Sequence, residues 1–115
     1  MSDSQCIFCR IVAGEVPADV VERTPDAVVI RDLNPQAPTH LLVIPARHAD
    51  NLSDYVTRAS AEQAGALLRL ASEVGRAAGR DAYRVVVNEG DEGGQTVGHL
   101  HLHVLAGRQM RWPPG

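Results

Sequence analysis

Aromatic side chains are scarce in this chain. One Phe, one Trp and two Tyr make up 3% of its 115 residues, so the core has to be built from Val, Leu, Ile and Ala. No stretch of 18 apolar residues occurs, which leaves no segment readable as a membrane-spanning helix, and no membrane partner is expected. No Lys/Arg run forms a basic stripe and the formal net charge is -3. The chain therefore has no general attraction for a polyanion, and binding to long nucleic acid is not expected. The start, Met1-Ser2-Asp3-Ser4-Gln5, lacks a basic region followed by an apolar one, and a cytoplasmic location is expected. Cysteine is limited to Cys6 and Cys9, a spacing too close for a useful structural staple and more typical of metal binding or redox work.

At 115 residues the chain is the size of one domain, spanning 1–115. A core this small leaves apolar surface over, which a second copy can cover. Ile7 to Ala13 reads as a helix of one or two turns, ended by Gly14 and Pro17. Val20–Arg23 and Ala27–Asp32 read as strands of a hairpin around Thr24-Pro25-Asp26. His40–Ile44 reads as a central strand closed by Pro45. The best helix starts near Ser60, where Ser60-Ala61-Glu62-Gln63 has capping-box form, and carries Ala64, Leu67, Leu68, Ala71, Val74 and Ala78 on one stripe before Gly79. Tyr83–Asn88 and Gly98–Leu105 are further strands, joined by a glycine-rich loop. Connections too short for parallel crossovers predict an α+β fold, a five-stranded antiparallel sheet with one short and one long helix.

Alternate residues of a strand face the same way, so His99, His101 and His103 share one face while Leu100, Leu102 and Val104 share the other. Three of the five histidines in strict alternation mark a site rather than a solvated edge. The loop ahead of them, Asn88 to Gly98, places glycines where backbone N–H groups can converge on an anion. A neutral imidazole can attack phosphorus, expel a leaving group and yield its nucleotidyl adduct to water, with no cofactor needed. His101 is the candidate nucleophile because a histidine on each side can bond the phosphate oxygens. Gln95 and Thr96, at the loop's exit, are candidates for phosphate contact or for passing a proton to the departing group.

Gly98-His99-Leu100-His101-Leu102-His103-Val104-Leu105, with Asp32-Leu33-Asn34-Pro35-Gln36-Ala37-Pro38-Thr39-His40 upstream and Gly107 to Gly115 at the end, resembles the histidine-triad (HIT) superfamily, and most closely its nucleotide-binding Hint branch. The resemblance implies a homodimer whose two sheets join into one of ten strands, with the long helix at the interface and the tail reaching toward the partner. It implies hydrolysis of purine nucleoside 5'-phosphoramidates, adenosine monophosphoramidate among them, and of acyl adenylates. By position His101 matches the nucleophile, His99 and His103 the flanking triad members and His40 a supporting histidine. Asn88, Gly94, Gln95 and Thr96 match phosphate-side contacts, Asp32 the acid on the ribose hydroxyls, and Ile7, Phe8, Ile11, Ile30 and Leu33 the surroundings of the base. Trp112 belongs to the tail block on the substrate side. Ile11 and Ile30 read equally as core, and Asp32 equally as the cap of a turn before Pro35. Arg111 stands where the family commonly has a histidine, Gly98 replaces a bulkier residue, and Thr96 replaces the commoner serine.

A closed zinc site on Cys6 and Cys9 needs two more N or S ligands, and His48 and His99 are the available ones. Zinc there would be structural. The alternative is a pair of reduced, partly buried thiols with His48 at the surface. Three other activities stay open at this point: a catalytic zinc or copper held by the alternating histidines, a dinucleoside polyphosphate hydrolase, and a nucleotide-binding module with little turnover.

Overall fold

Val28-Val29-Ile30 and Leu41-Leu42-Val43-Ile44 are apolar at every position because both faces of their sheet are covered. A computed structural model describes residues 5–79 and 81–115. Met1–Ser4, most of the polar start on which location was read, and Arg80 lie outside the described residues. The elements are α1 (Ile7–Val12), β1 (Val20–Arg23), β2 (Ala27–Arg31), β3 (Thr39–Pro45), α2 (Leu52–Arg58), α3 (Ala61–Gly79), β4 (Tyr83–Val86) and β5 (Leu102–Ala106). The five strands form one antiparallel sheet in the order β1-β2-β3-β5-β4. Among the described residues no helix is long and apolar enough to cross a membrane.

Strand alternation sorts the core into two layers. Ala27, Val29, Leu41, Val43, Leu100, Leu102 and Val104 pack with Leu67, Leu70, Ala71 and Val74 of α3. Val28, Ile30, Leu42 and Ile44 point the other way, onto Cys6, Phe8 and Ile11 around α1. The capping box at Ser60 forms in full, with Ser60 Oγ accepting from Gln63 N–H at 3.1 Å and Gln63 Oε1 accepting from Ser60 N–H at 2.8 Å. The buried stripe of α3 includes Gly75, where a Cβ would lie 2.6 Å from the Tyr83 ring, so glycine is what lets β4 approach. Leu68, expected on that stripe, is 62% exposed and faces away from the sheet.

Three expectations are corrected. A second short helix, α2, joins the expected pair. It is seven residues long and fully buries none of them: Leu52, Tyr55 and Val56 fall at helical spacing, but Leu52 and Val56 are exposed and only Tyr55 packs partly against the core. Caps hold it instead: Asn51 accepts from Asp54 N–H, and the Glu89 carboxylate accepts from Ser53 N–H and Oγ–H at 2.8 and 2.7 Å. β4 ends at Val86 rather than Asn88. β5 starts at Leu102 rather than Gly98, because the Leu100 N–H goes to the Ala49 carbonyl (2.8 Å) and the Pro45 carbonyl, at the end of β3, takes the His99 imidazole. The alternation of side chains nonetheless runs on through residues 99–101.

Candidate active site and metal cage

The register that pairs Leu42 with His103 and His40 with Leu105 puts both histidines on the α1 face as diagonal neighbours. His103 Nδ1 lies 2.9 Å from His40 Nε2. The protons follow from one fixed donor. The Gln36 backbone N–H points at His40 Nδ1 at 3.0 Å, so that nitrogen accepts and His40 carries its hydrogen on Nε2. His40 then donates to His103 Nδ1, which leaves His103 with its hydrogen on Nε2. His103 Nε2 has no hydrogen-bond partner among the described residues and is not a buried orphan, so it is open to the cleft. Burial, followed by the like charge of His101 and of His40, lowers the His103 pKa from 6.5 to about 4, with Asp32 acting weakly the other way. His103 is therefore a neutral N–H donor near neutral pH.

His101, 7% exposed, is fixed by the same logic. Its Nδ1 lies 2.9 Å from the His99 carbonyl, which can only accept, so the hydrogen sits on Nδ1 and the lone pair on Nε2. Nε2 is likewise unpartnered among the described residues and accessible. The Phe8 ring meets the imidazole edge-on with centroids 5.1 Å apart, and the His103 ring lies at 4.9 Å.

Beside these imidazoles is a cleft of about 360 Å³, within the range of small-molecule sites. Its apolar lining includes Ile7, Phe8, Ile11, Ile30 and Leu33, and its polar lining is Asp19, Arg31, Asp32, Thr96, His101 and His103. Ile11 and Ile30 are each 6% exposed, so they belong to the core and to the cleft at once. Asp32 does cap the turn before Pro35, its Oδ1 accepting from Asn34 N–H at 2.8 Å, while its Oδ2 lies 3.4 Å from His40 Nε2 and the residue lines the cleft.

The other candidates lie outside the cleft lining. His40 stands behind His103. Asn88 is half-buried near Gly94, whose φ of 84° closes a turn in which its N–H reaches the Asp91 carbonyl. The Gln95 amide is fully engaged, accepting from Gly90 N–H and donating to the Asp50 and Val97 carbonyls at 2.7 and 3.0 Å. Trp112 is 83% exposed in the tail, where Arg84 holds the Arg111 carbonyl at 2.8 Å. Missing from the sequence reading are Gln36, whose backbone sets both tautomers, and Asp50. Asx turns and an acid two residues from a histidine were the only signals for them.

His99 is turned to a different task. Its Nδ1 lies 3.2 Å from Cys6 Sγ and 3.5 Å from Cys9 Sγ, and Cys9 Sγ lies 3.3 Å from His48 Nδ1. The four donor atoms of Cys6, Cys9, His48 and His99 are all within 4.8 Å of one another. Tetrahedral zinc places S and N ligands about 3.5 Å apart, given its Zn–S and Zn–N bond lengths. Both imidazoles present Nδ1 with Nε2 bonded to oxygen, His99 to the Pro45 carbonyl at 2.9 Å and His48 to Asp50 at 2.8 Å. That outer support orients a metal-binding histidine. The donor set fits zinc. The three alternating histidines do not converge on one point: His99 joins the cage, His103 groups with Asp32 and His40, and His101 falls in neither group. A single metal held by all three is thereby disfavoured.

Residues 13–110 match the HIT domain family. A 14 kDa zinc-binding protein of Zea mays is 45% identical over 100% of this chain and 91% of its own length. The crystal structure of a HIT family hydrolase from Legionella pneumophila superposes with a TM-score of 0.89 at 43% identity, covering 96% of this chain and 100% of that one. A Zn-bound histidine triad family protein from Mycobacterium smegmatis gives a TM-score of 0.79 at 30% identity, covering 93% and 78%.

Proposed function

This chain belongs to the HIT domain family, and from that premise we propose that it is a nucleotide hydrolase of the Hint type, in which His101 Nε2 attacks the α-phosphorus of purine nucleoside 5'-phosphoramidates and acyl adenylates. One observation carries the reading: the His99 carbonyl holds the His101 hydrogen on Nδ1 and leaves the Nε2 lone pair at the cleft, beside the His103 donor. The apolar side chains suit a base and Asp32 suits the ribose hydroxyls. As Nε2 bonds to phosphorus the bond to the leaving group breaks: in a phosphoramidate this is the substrate's P–N bond, and the amine leaves with a proton passed by the Thr96 hydroxyl, whereas in an acyl adenylate it is the P–O bond and the carboxylate leaves without one. His103 Nε2–H bonds a phosphoryl oxygen as charge builds there. Water then adds to phosphorus, the His–P bond breaks, and any proton lent by Thr96 is restored.

Adenosine monophosphoramidate, an acyl adenylate and a diadenosine polyphosphate, offered side by side, test this. Hydrolysis of the first two is expected, and His101→Asn lowers it on the order of 10⁴-fold. Full turnover by that variant, or tight binding of the nucleotides by the native chain without turnover, contradicts the reading.

Cys6, Cys9, His48 and His99 are assigned here as zinc ligands on the cage geometry, a reading supported by the zinc in the names of two relatives. Bound zinc would tie the N-terminal segment to the sheet, and metal analysis of the purified protein tests it. Reduced cysteines suited to a metal fit a cytoplasmic setting. The expected partner is a second copy, joined along the edge of β4, which pairs only with β5 among the described residues.

A further inference from the structure

The His99 residue belongs to two sites at once. Its imidazole is fully buried in the cysteine cage, while its carbonyl accepts the Nδ1–H of His101 at 2.9 Å. The next residue, Leu100, is tied by its N–H to the Ala49 carbonyl at 2.8 Å. Ala49 lies between His48, a cage residue, and Asp50, which does two things. Its carboxylate receives the His48 Nε2–H at 2.8 Å and its carbonyl receives the Gln95 amide at 2.7 Å. Gln95 in turn closes the glycine turn at Gly90 and immediately precedes Thr96 of the cleft. Two routes thus leave the cage, one through the His99 peptide to the nucleophile and one through His48 and Asp50 to the loop that ends at Thr96.

We propose that the cage is the device that positions the nucleophile: zinc bound there fixes the His99 peptide and, through its carbonyl, the tautomer and direction of the His101 ring. His99 and Asp50 are positioning residues in this scheme, and neither touches the substrate. The inference rests on the hydrolytic reading above. A hydrogen bond between neutral groups favours one imidazole tautomer by roughly 3- to 10-fold, so a His99 carbonyl that wanders leaves a mixture of tautomers, part of it with the lone pair turned away from phosphorus. A metal acting only as a staple for the N-terminal segment changes melting temperature and leaves the His101 ring as it is.

The test uses the whole protein labelled with ¹⁵N at histidine, as purified with Zn(II), after chelation, and as the Asp50→Ala variant titrated with Zn(II). Asp50→Ala, at an exposed residue, serves if the chelated protein unfolds. The variant is expected to bind Zn(II) about 10- to 100-fold more weakly. At low Zn(II) its His101 ¹⁵N shifts should report mixed tautomers and its kcat should fall several-fold with KM nearly constant. Excess Zn(II) should restore both. A His101 ring that keeps its hydrogen on Nδ1 at every zinc level in folded protein overturns the proposal, as does a kcat independent of zinc. Because the tautomer is read without turnover, failure of the coupling is distinct from failure of the hydrolytic reading, which shows as absence of a nucleotidyl adduct on His101 in the zinc-loaded protein.

Discussion

His40 Nε2 donates to His103 Nδ1 across 2.9 Å, and the direction of that bond is dictated by the Gln36 backbone N–H, which donates to His40 Nδ1 from outside the cleft lining. The catalytic reading therefore depends on a residue that does not line the substrate site. Replacing His40 by Phe keeps a ring in the core and removes the donor, so His103 is free to carry its hydrogen on either nitrogen. Steady-state kinetics should show kcat lower by roughly 10-fold, the worth of one hydrogen bond. An unchanged kcat would mean that the His103 tautomer is immaterial.

The His103 pKa, lowered from 6.5 to about 4, predicts how stability follows acidity. Between those two values the unfolded chain binds more protons at this position than the folded one, so stability rises with pH across the window. The contribution is fully present above about pH 6.5 and is lost as pH falls toward 4. Urea midpoints measured from pH 7 to 4 should decline, and His103→Gln should decline less over the same range. Parallel declines in both proteins would place the acid sensitivity elsewhere.

Gly75 and Gly65 lie in the same helix and should respond oppositely to alanine. A Cβ at Gly75 meets the Tyr83 ring at 2.6 Å, and that ring is also held by the Ser72 hydroxyl at 2.8 Å, whereas nothing lies within 4 Å of one at Gly65. Gly75→Ala should destabilise by about 1–3 kcal/mol through overpacking. Gly65→Ala should stabilise by up to about 1 kcal/mol through helix propensity. Thermal melts of the two variants decide it.

The contrast between those glycines shows what a linear reading can reach. Strand alternation separated Leu100, Leu102 and Val104 from the histidines on the opposite face, the structure packs those three under α3, and the capping residues at Ser60 marked where α3 begins. Helical periodicity could not tell Leu68 from Leu67, because the width of the buried stripe depends on how α3 lies on the sheet. α2 escaped the linear reading for a related reason: it is short, only Tyr55 packs partly against the core, and caps from Asn51 and distant Glu89 hold it. At the site, residue types and spacing brought out Cys6, Cys9, His48 and His99 as a possible ligand set, and the fold brings their donor atoms together. The tautomers were not legible, since they are set by carbonyls and N–H groups that every residue carries. Nor was the engagement of Gln95, whose partner Asp50 is 45 residues away.

The edge of β4 carries the expectation of a homodimer. Val85 sits at the middle of that strand and is 36% exposed. Val85→Lys places a charge where a second copy would pair, a device that keeps sheet edges apart. Light scattering should give a mass near twice 12.4 kDa for the native chain and half of that for the variant. A native chain that runs as a monomer contradicts the pairing.

Trapping of the covalent intermediate tests the central claim most directly. Native protein quenched during turnover of adenosine monophosphoramidate should yield, on peptide mapping by mass spectrometry, one adenylyl group on the peptide that holds His99, His101 and His103, assigned by fragmentation to His101 and absent from His101→Asn. An adenylyl group on any other residue, or hydrolysis at the native rate by the variant, would contradict the account.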